Sequence, residues 1–311
     1  AVEFAKTGEF KIGDNRAWEM PLTAILYGLI YKLFNDIENT IICIRILQSL
    51  MLIFQSVLLY KISFIIFKNK EVSFITFVIV LFYPFFIYYQ ALLLSETVFI
   101  TIFLVAFYFL YKWYDYGFVL NKYFLLTNVF FTLTLYSKGT LTILPPILIS
   151  TFYLVNTYSF KTTIKVFFYS LIIYIVIMSS WWIRNYNIFD KFVFLTTSSG
   201  SNLYLGANIN NKYGGVDWGK DVEPNFVKEV RKLDDEIEVD NIYKQRAIEF
   251  ITNNPYMFWE LMCLKFKRYY NFTFNADIFN SLYYNLLSIF SYVICMILAF
   301  GTFLYTMKEW K

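Results

Sequence analysis

The sequence predicts an all-α, polytopic membrane protein. Hydrophobic residues make up 58% and aromatic residues 23% of its 311 positions. Apolar runs of roughly 16 to 25 residues, long enough to cross a bilayer as helices, follow one another along the chain. The short alternating segments of a membrane β-barrel are absent.

Residues 1–20 are polar and mixed in charge, with Glu3, Lys6, Asp14, Arg16 and Glu19. The chain opens on Ala1 rather than Met, so the gene's own start is expected upstream, and no removable signal-peptide pattern is present. Pro21 then introduces LTAILYGLIYKLF, about a dozen residues and too short to span comfortably. It reads as a juxtamembrane helix lying against the surface, with Pro in its first turn. Spans are predicted over 43–67, 72–89, 95–113, 122–137, 141–157, 164–182 and 282–306. The two shortest, of about 16 residues, borrow flanking Tyr, Asn or Thr at the interface. Pro84 and the pair Pro145–Pro146 fall within spans, where they are expected to kink or break the helix.

Orientation follows from the short connections. Lys61, Lys68 and Lys70, then Lys112 and Lys122, Lys161 and Lys165, and finally Lys308 and Lys311 fall on one side. The opposite short turns hold only Lys138. Lys and Arg concentrate on the cytoplasmic side. The outer face therefore receives 1–42 as a loop and juxtamembrane helix, the turns near 90–95 and 138–140, and a long extracytoplasmic region at 183–281. Between them, 43–182 forms a transmembrane bundle of about six spans, and 282–311 a final span with a cytoplasmic tail. Within the outer region, Gly206, Gly214, Gly215 and Gly219 mark loops. Phe226, Val230, Leu233 and Ile237 recur at helical spacing and predict one amphipathic helix. Asn254-Pro255 reads as the cap and first position of a helix over PYMFWELMCLKFKRYY, suited to the membrane interface. Its Lys265, Lys267 and Arg268 are expected either to attract lipid phosphates or to anchor the helix.

Histidine is absent, which excludes an imidazole base, a His-bound metal and a Ser-His triad. Cys43, Cys263 and Cys295 are scattered and form no metal or redox motif. Acid–base chemistry is left to carboxylates, Tyr or Lys, and no metal or other cofactor is expected. The net charge of +4 is too small and too dispersed to imply nucleic acid.

The most informative stretch is WWIRNYNIFDKFVFLTTSSGSNLYLG, residues 181–206. Two tryptophans mark the membrane surface. Arg184 follows, with a planar fork of donors suited to phosphate. Asn185 and the polar run Thr196 to Asn202 then offer amides, hydroxyls and close backbone approach. A lipid-linked phosphate needs such a set, although a snorkelling Arg184 that merely anchors a helix end fits the same residues. Two further ionisable residues stand at membrane depth. Lys138, in YSKGTL, defies the orientation rule and could grip a phosphate together with Arg184, or be a solvated turn lysine beside a capping Gly139. Glu96, in LLLSETVF, could line a site or pair with a cation, or simply favour a helix N-terminus capped by Ser95. Arg45 is a weaker third cation. The candidate binding residues are thus Arg184, Lys138, Glu96, Asn185 and Asn202.

In order along the chain, FAKTGEF, MPLTAILYGLIYKLF, IRILQSL, LFYPFFIYYQALLLSETVF, YSKGTLTILPP, WWIRNYNIFDKFVFLTTSSGSNLYLGAN and YKQRAIEFITNNPYMFWELMCLKFKR together resemble the dolichyl-phosphate-mannose–protein mannosyltransferase family in its bacterial form. That family is related to the lipid A aminoarabinose transferases. The resemblance implies a GT-C-type helix bundle with outer-face juxtamembrane helices. It also implies transfer of a sugar from a polyprenyl-phosphate carrier to a lipid, glycan or protein acceptor on the outer face of a bacterial inner membrane, with inversion. Cations hold the phosphate in such enzymes, and a carboxylate in the first outer loop acts as base. That acidic motif is expected before Ala1, so the catalytic residue is unassigned; Asp14 and Glu19 do not match it. The family's usual Arg after the fifth span is Lys138-Gly139 in this chain, and further spans are expected after Trp310, so the sequence reads as truncated at both ends. The alternatives are a transporter or flippase of a lipid-linked substrate, or an inactive relic.

Overall fold

The computed structural model describes residues 1–157, 159–273, 275 and 281–309. Among them the regular structure is helical, apart from one isolated bridge between Ile12 and Asn15. The chain divides into two compact units, Ala1–Thr197 and Ser198–Lys311.

The first unit contains α1 (Val2–Thr7), α2 (Leu22–Phe34), α3 (Ile37–Phe67), α4 (Lys70–Phe82), α5 (Pro84–Ala91), α6 (Glu96–Asp115), α7 (Lys122–Ser137), a 3-10 turn at Gly139–Leu141, α8 (Leu144–Thr157) and α9 (Phe160–Phe189). Side-chain caps set several starts: Asp36 accepts from the Asn39 amide, Asn69 from Glu71 and Val72, and Asn121 from Tyr123 and Phe124. Each relieves amides that the first turn leaves without an intrahelical partner. Helices α3, α6 and α9, with α14 of the second unit, are long and apolar enough to cross a membrane. The pair α4–α5, bent by 46°, would be a further broken span. The bend falls at Pro84, which has no amide to continue the ladder.

Helix α7 packs on α2, α6, α8 and α9, and its interior is unusually polar. Thr127, Asn128, Thr132 and Thr134 are almost fully buried. Each returns its donor to a carbonyl about one turn back, at 2.6–2.9 Å. A short helix can therefore pass through an apolar bundle without orphaned side-chain donors. Beside this polar file lies an aromatic core in which Phe131 meets Phe103 and Phe107 edge-on, and Trp113 packs on Phe118, Phe124 and Tyr153.

Three sequence expectations change. The helix expected to end at 182 runs on to Phe189 and stops where Asp190 adopts left-handed geometry, φ 51°. Charge at Arg184 lowers hydropathy without breaking the backbone ladder. Pro145 and Pro146 do not kink a span; they lie in the first turn of α8, where missing amides cost little. The helix expected through Phe226 and Ile237 is two helices, α11 (Pro224–Val230) and α12 (Glu236–Asn253), because Asp235 caps a new start by accepting from the Ile237 and Glu238 amides.

The second unit also holds α10 (Ser199–Gly206), α13 (Pro255–Tyr269) and α14 (Leu282–Glu309). Tyr204 is fully buried against Trp218, Phe226 and Tyr243, and burial pushes its phenol up to about 12. Helix α10 starts against α12. The Asp240 carboxylate accepts from the Gly200 amide and the Ser199 hydroxyl, and a β-carbon on Gly200 would collide with the Asp240 backbone carbonyl. Gly200→Ala is therefore expected to cost roughly 1–3 kcal/mol through overpacking, read as a lower thermal midpoint of the detergent-solubilised protein; an unchanged midpoint would refute the contact.

Burial raises the Asp240 pKa above its ordinary 3.8, against the pull of its hydrogen bonds. Between the ordinary and the raised value the folded chain holds more protons than the unfolded one. Stability at this site should fall as pH rises through that window and level off above it. Across a pH series of thermal midpoints, Asp240→Asn should flatten that component of the wild-type slope.

Candidate functional site

Glu96 opens α6 and Lys138 follows the last residue of α7, so the two stand at neighbouring ends of antiparallel helices. Their side chains form an ion pair at 2.7 Å, each about one-third exposed (34% and 37%). Each charge also opposes the dipole at its own helix end, the carboxylate at an N-terminus and the ammonium at a C-terminus. Lys138 is extended, with φ −153°, and Gly139 begins the 3-10 turn instead of making a left-handed cap. Ser95 occupies the N-cap position of α6 without a side-chain cap bond; its carbonyl accepts from the Ser137 hydroxyl at 3.3 Å.

A polar seam behind the pair holds the helix ends level. The Thr23 and Ser137 hydroxyls meet at 3.0 Å. Tyr27 donates to the Leu94 carbonyl, and Gln48 donates to the Tyr27 hydroxyl and the Leu92 carbonyl. Gln55 donates to Thr101 Oγ1 at 2.7 Å and to the Thr97 carbonyl at 3.2 Å. Gln48 and Gln55 are 0% and 2% exposed. Neither is among the candidates above, yet two glutamines one heptad apart inside an apolar run are a signal in the sequence, since a polar residue at membrane depth needs a reason.

Arg184 lies within α9, not in the loop after it. Its fork donates to Asn185 Oδ1 at 2.8 Å and to the Phe10 carbonyl at 2.9 Å. Its plane lies over the Trp181 ring at 4.7 Å and near Phe10 at 5.6 Å. Asn185 is fully buried and donates to the Val193 carbonyl at 3.4 Å. Trp181 and Trp182 donate to Leu195 and Phe194. Three side chains of α9 thus bind three successive carbonyls of the returning chain. Leu195 in turn faces Gly139, where Met20 also approaches, and the Thr197 amide bonds the Ala17 carbonyl. Glu96, Lys138 and Arg184 are consequently gathered at one end of the first unit.

The remaining candidates have other settings. Asn202 stands on α10 in the second unit, with its amide 3.5 Å from the Ser198 hydroxyl, and the polar run 196–202 is partly this helix. Arg45 lies in α3, where its carbonyl accepts from Ser49. Lys265 donates to the Gly206 carbonyl, and partial burial lowers its pKa. Among the described residues no cluster of carboxylates and thiols could hold a metal ion.

The arrangement assigns Arg184 a structural task that can be checked directly. In Arg184→Ala the Phe10 carbonyl loses a charged donor and two rings lose their cation, a change on the order of 1–3 kcal/mol. Limited proteolysis should then cleave faster within residues 8–20, with little change in the α12 region. Equal protection of both regions would show that the latch is not needed.

No curated protein and no solved structure matches the chain. A family profile does: dolichyl-phosphate-mannose-protein mannosyltransferase, over residues 19–183. That match covers more than half of the sequence and includes α2 to α8, Glu96, Lys138 and most of α9. With its helical architecture and apolar spans, the chain belongs to the dolichyl-phosphate-mannose-protein mannosyltransferase family and is a membrane glycosyltransferase.

Proposed function

We propose that this membrane glycosyltransferase takes its sugar from a polyprenyl-phosphate carrier, with Lys138 contacting the phosphate and Glu96 holding Lys138 in position. The observation that carries the proposal is the partly exposed Glu96–Lys138 pair at the end of the bundle. A fully buried pair would be closed to a ligand, and a freely solvated lysine would not be positioned. In the transfer, an acceptor hydroxyl oxygen bonds to the sugar's anomeric carbon as the carbon–oxygen bond to phosphate breaks. The electron pair leaves on the phosphate, and the hydroxyl proton passes to a carboxylate base. Displacement from the opposite face inverts the anomeric centre.

Negative charge grows on the phosphate oxygen as that bond breaks, and a positioned cation stabilises the transition state more than the ground state. Lys serves this as a point charge without the bidentate geometry of Arg. Arg184 and Asn185 act by position: they pin the start of the chain and the 193–195 segment, which brings Leu195 against Gly139. The lysine distribution supports an active end facing away from the cytoplasm, with the acceptor arriving from that side of a cell membrane.

A transfer assay in membranes carrying the full-length protein, with a radiolabelled polyprenyl-phosphate sugar, tests this. Lys138→Ala should lose about 10²–10³-fold in turnover at an unchanged thermal midpoint, and Lys138→Arg should recover part of the loss. Glu96→Gln should lose less than Lys138→Ala and fall mainly in turnover. Wild-type transfer by Lys138→Ala would remove the phosphate role.

A further inference from the structure

Helix α13 has two faces with different occupants. One face packs on its own unit: Leu261 is 3% exposed, and Phe258 and Met262 join it against Ala207 and Phe250. Lys265 falls on this side too, reaching the Gly206 carbonyl. At 100° per residue, Arg268 projects from the same half of the helix as Leu261. Two of the three basic residues of this helix are therefore turned toward the packed side.

The opposite face carries Tyr256, Trp259, Cys263 and Phe266, continued by Tyr270 immediately after the last turn, at successive spacings of three and four residues. They fall within an arc of about 80°. All are exposed: Tyr256 at 72%, Trp259 at 67%, Phe266 at 67% and Tyr270 at 43%, with Cys263 also exposed. Met257, Leu264 and Tyr269 are exposed elsewhere on the helix, but this arc is continuous along its whole length, and an apolar stripe of this kind needs a cover.

The residue types identify the cover. A helix–helix seam would carry branched aliphatic residues at these spacings, and the stripe has none. Tyr and Trp settle at headgroup depth, where one edge is apolar and the other wet. Charge argues in the same direction, because one flank of the stripe carries both Glu260 and Lys267, which offset one another. Continuity supplies the location. Helix α14, apolar enough to cross a membrane and only 6% buried, opens about a dozen residues after Tyr270, a tether of at most ~40 Å.

We propose that the Tyr256–Trp259–Cys263–Phe266–Tyr270 stripe of α13 lies in the headgroup layer of the bilayer, held by its aromatic rings rather than by its basic side chains. The helix then runs parallel to the membrane plane, with its stripe toward the lipid and Leu261 toward the protein. The surface is a docking site for phospholipid in general and needs no anionic lipid.

Cys263 is a natural reporter at the centre of the stripe. In a Cys43→Ala, Cys295→Ala background, the full-length protein is spin-labelled at Cys263 and reconstituted in phosphatidylcholine vesicles. A control carries Lys244→Cys on exposed α12, with Cys263→Ser. Collision rates are measured with oxygen, which partitions into lipid, and with a water-soluble nickel complex. The oxygen-to-nickel ratio should be several-fold higher at Cys263 than at Lys244→Cys, and unchanged by phosphatidylglycerol, by salt or by Lys267→Gln. Equal ratios at the two positions would put the stripe in water and overturn the proposal. Exclusion of both reagents from Cys263 would overturn it in favour of a protein contact. A high ratio that requires phosphatidylglycerol and vanishes in Lys267→Gln would overturn the aromatic basis.

Discussion

The first unit depends on one constraint: a polar group inside an apolar bundle costs free energy unless it finds a partner within the protein. Few buried side-chain atoms of the described residues, among them Gln48 Oε1 and Thr97 Oγ1, are left without one. On α7 the answer is local, as Thr and Asn side chains bond the carbonyls of their own helix. Across α2, α3 and α6 it is long-range, through Gln48, Gln55 and Tyr27. Local bonds leave a helix free to slide against its neighbours, whereas cross-helix bonds fix its height. Gln48 and Gln55 bond groups on both sides of the α6 start, Leu92 before it and Thr97 and Thr101 within it. The Ser137 hydroxyl then ties the end of α7 to the carbonyl of Ser95. Glu96 and Lys138 meet because those helix ends are held at one level.

That origin bears on what the pair contributes. Surface ion pairs add little stability, since water solvates both partners well and ordering two side chains costs entropy. With each side chain about one-third exposed, the Glu96–Lys138 bridge is a weak candidate for a structural staple. The hydroxyl and amide seam behind it already fixes the helices. A charged pair that the scaffold positions but does not require fits a binding group better than a strut. Arg184 is the converse case: its fork, its ring stacking and the carbonyl of Phe10 make it part of the scaffold that carries the pair.

Much of this fold was legible in the sequence. The boundaries of α7, drawn at 122–137, coincide with the helix because Asn121 caps it and Lys138 ends its apolar run. The α2 segment after Pro21 and the α13 start at Asn254-Pro255 were equally readable, although Asn254 forms no side-chain cap bond. Failures came where hydropathy and backbone geometry part company. Hydropathy drops at Arg184, yet no breaker appears before Asp190, so α9 continues. The spacing from Phe226 to Ile237 is helical, but Leu233 is exposed and the Asp235 cap outweighs the periodicity. Glu96 and Lys138 were each visible as costly charges; their pairing was one of several options, because partners 42 residues apart are decided by tertiary packing.

Helix α13 shows how the fold narrows what composition leaves open. Its sequence mixes aromatic and basic residues, and the lysines and arginine invite a lipid-phosphate reading. The fold sorts them differently. Lys265 is drawn inward to cap the carbonyl of Gly206, at the end of the helix whose start is fixed by Asp240 and Gly200. Its long methylene stem covers the close approach at Gly214 while its ammonium finds an oxygen. With Lys265 committed to α10 and Leu261 to the core, rotation of α13 about its axis is fixed. The aromatic residues spaced by three and four are then necessarily presented together on the far side. The Leu261 core contact and the Lys265 bond to the Gly206 carbonyl together thus determine which surface the unit offers outside it.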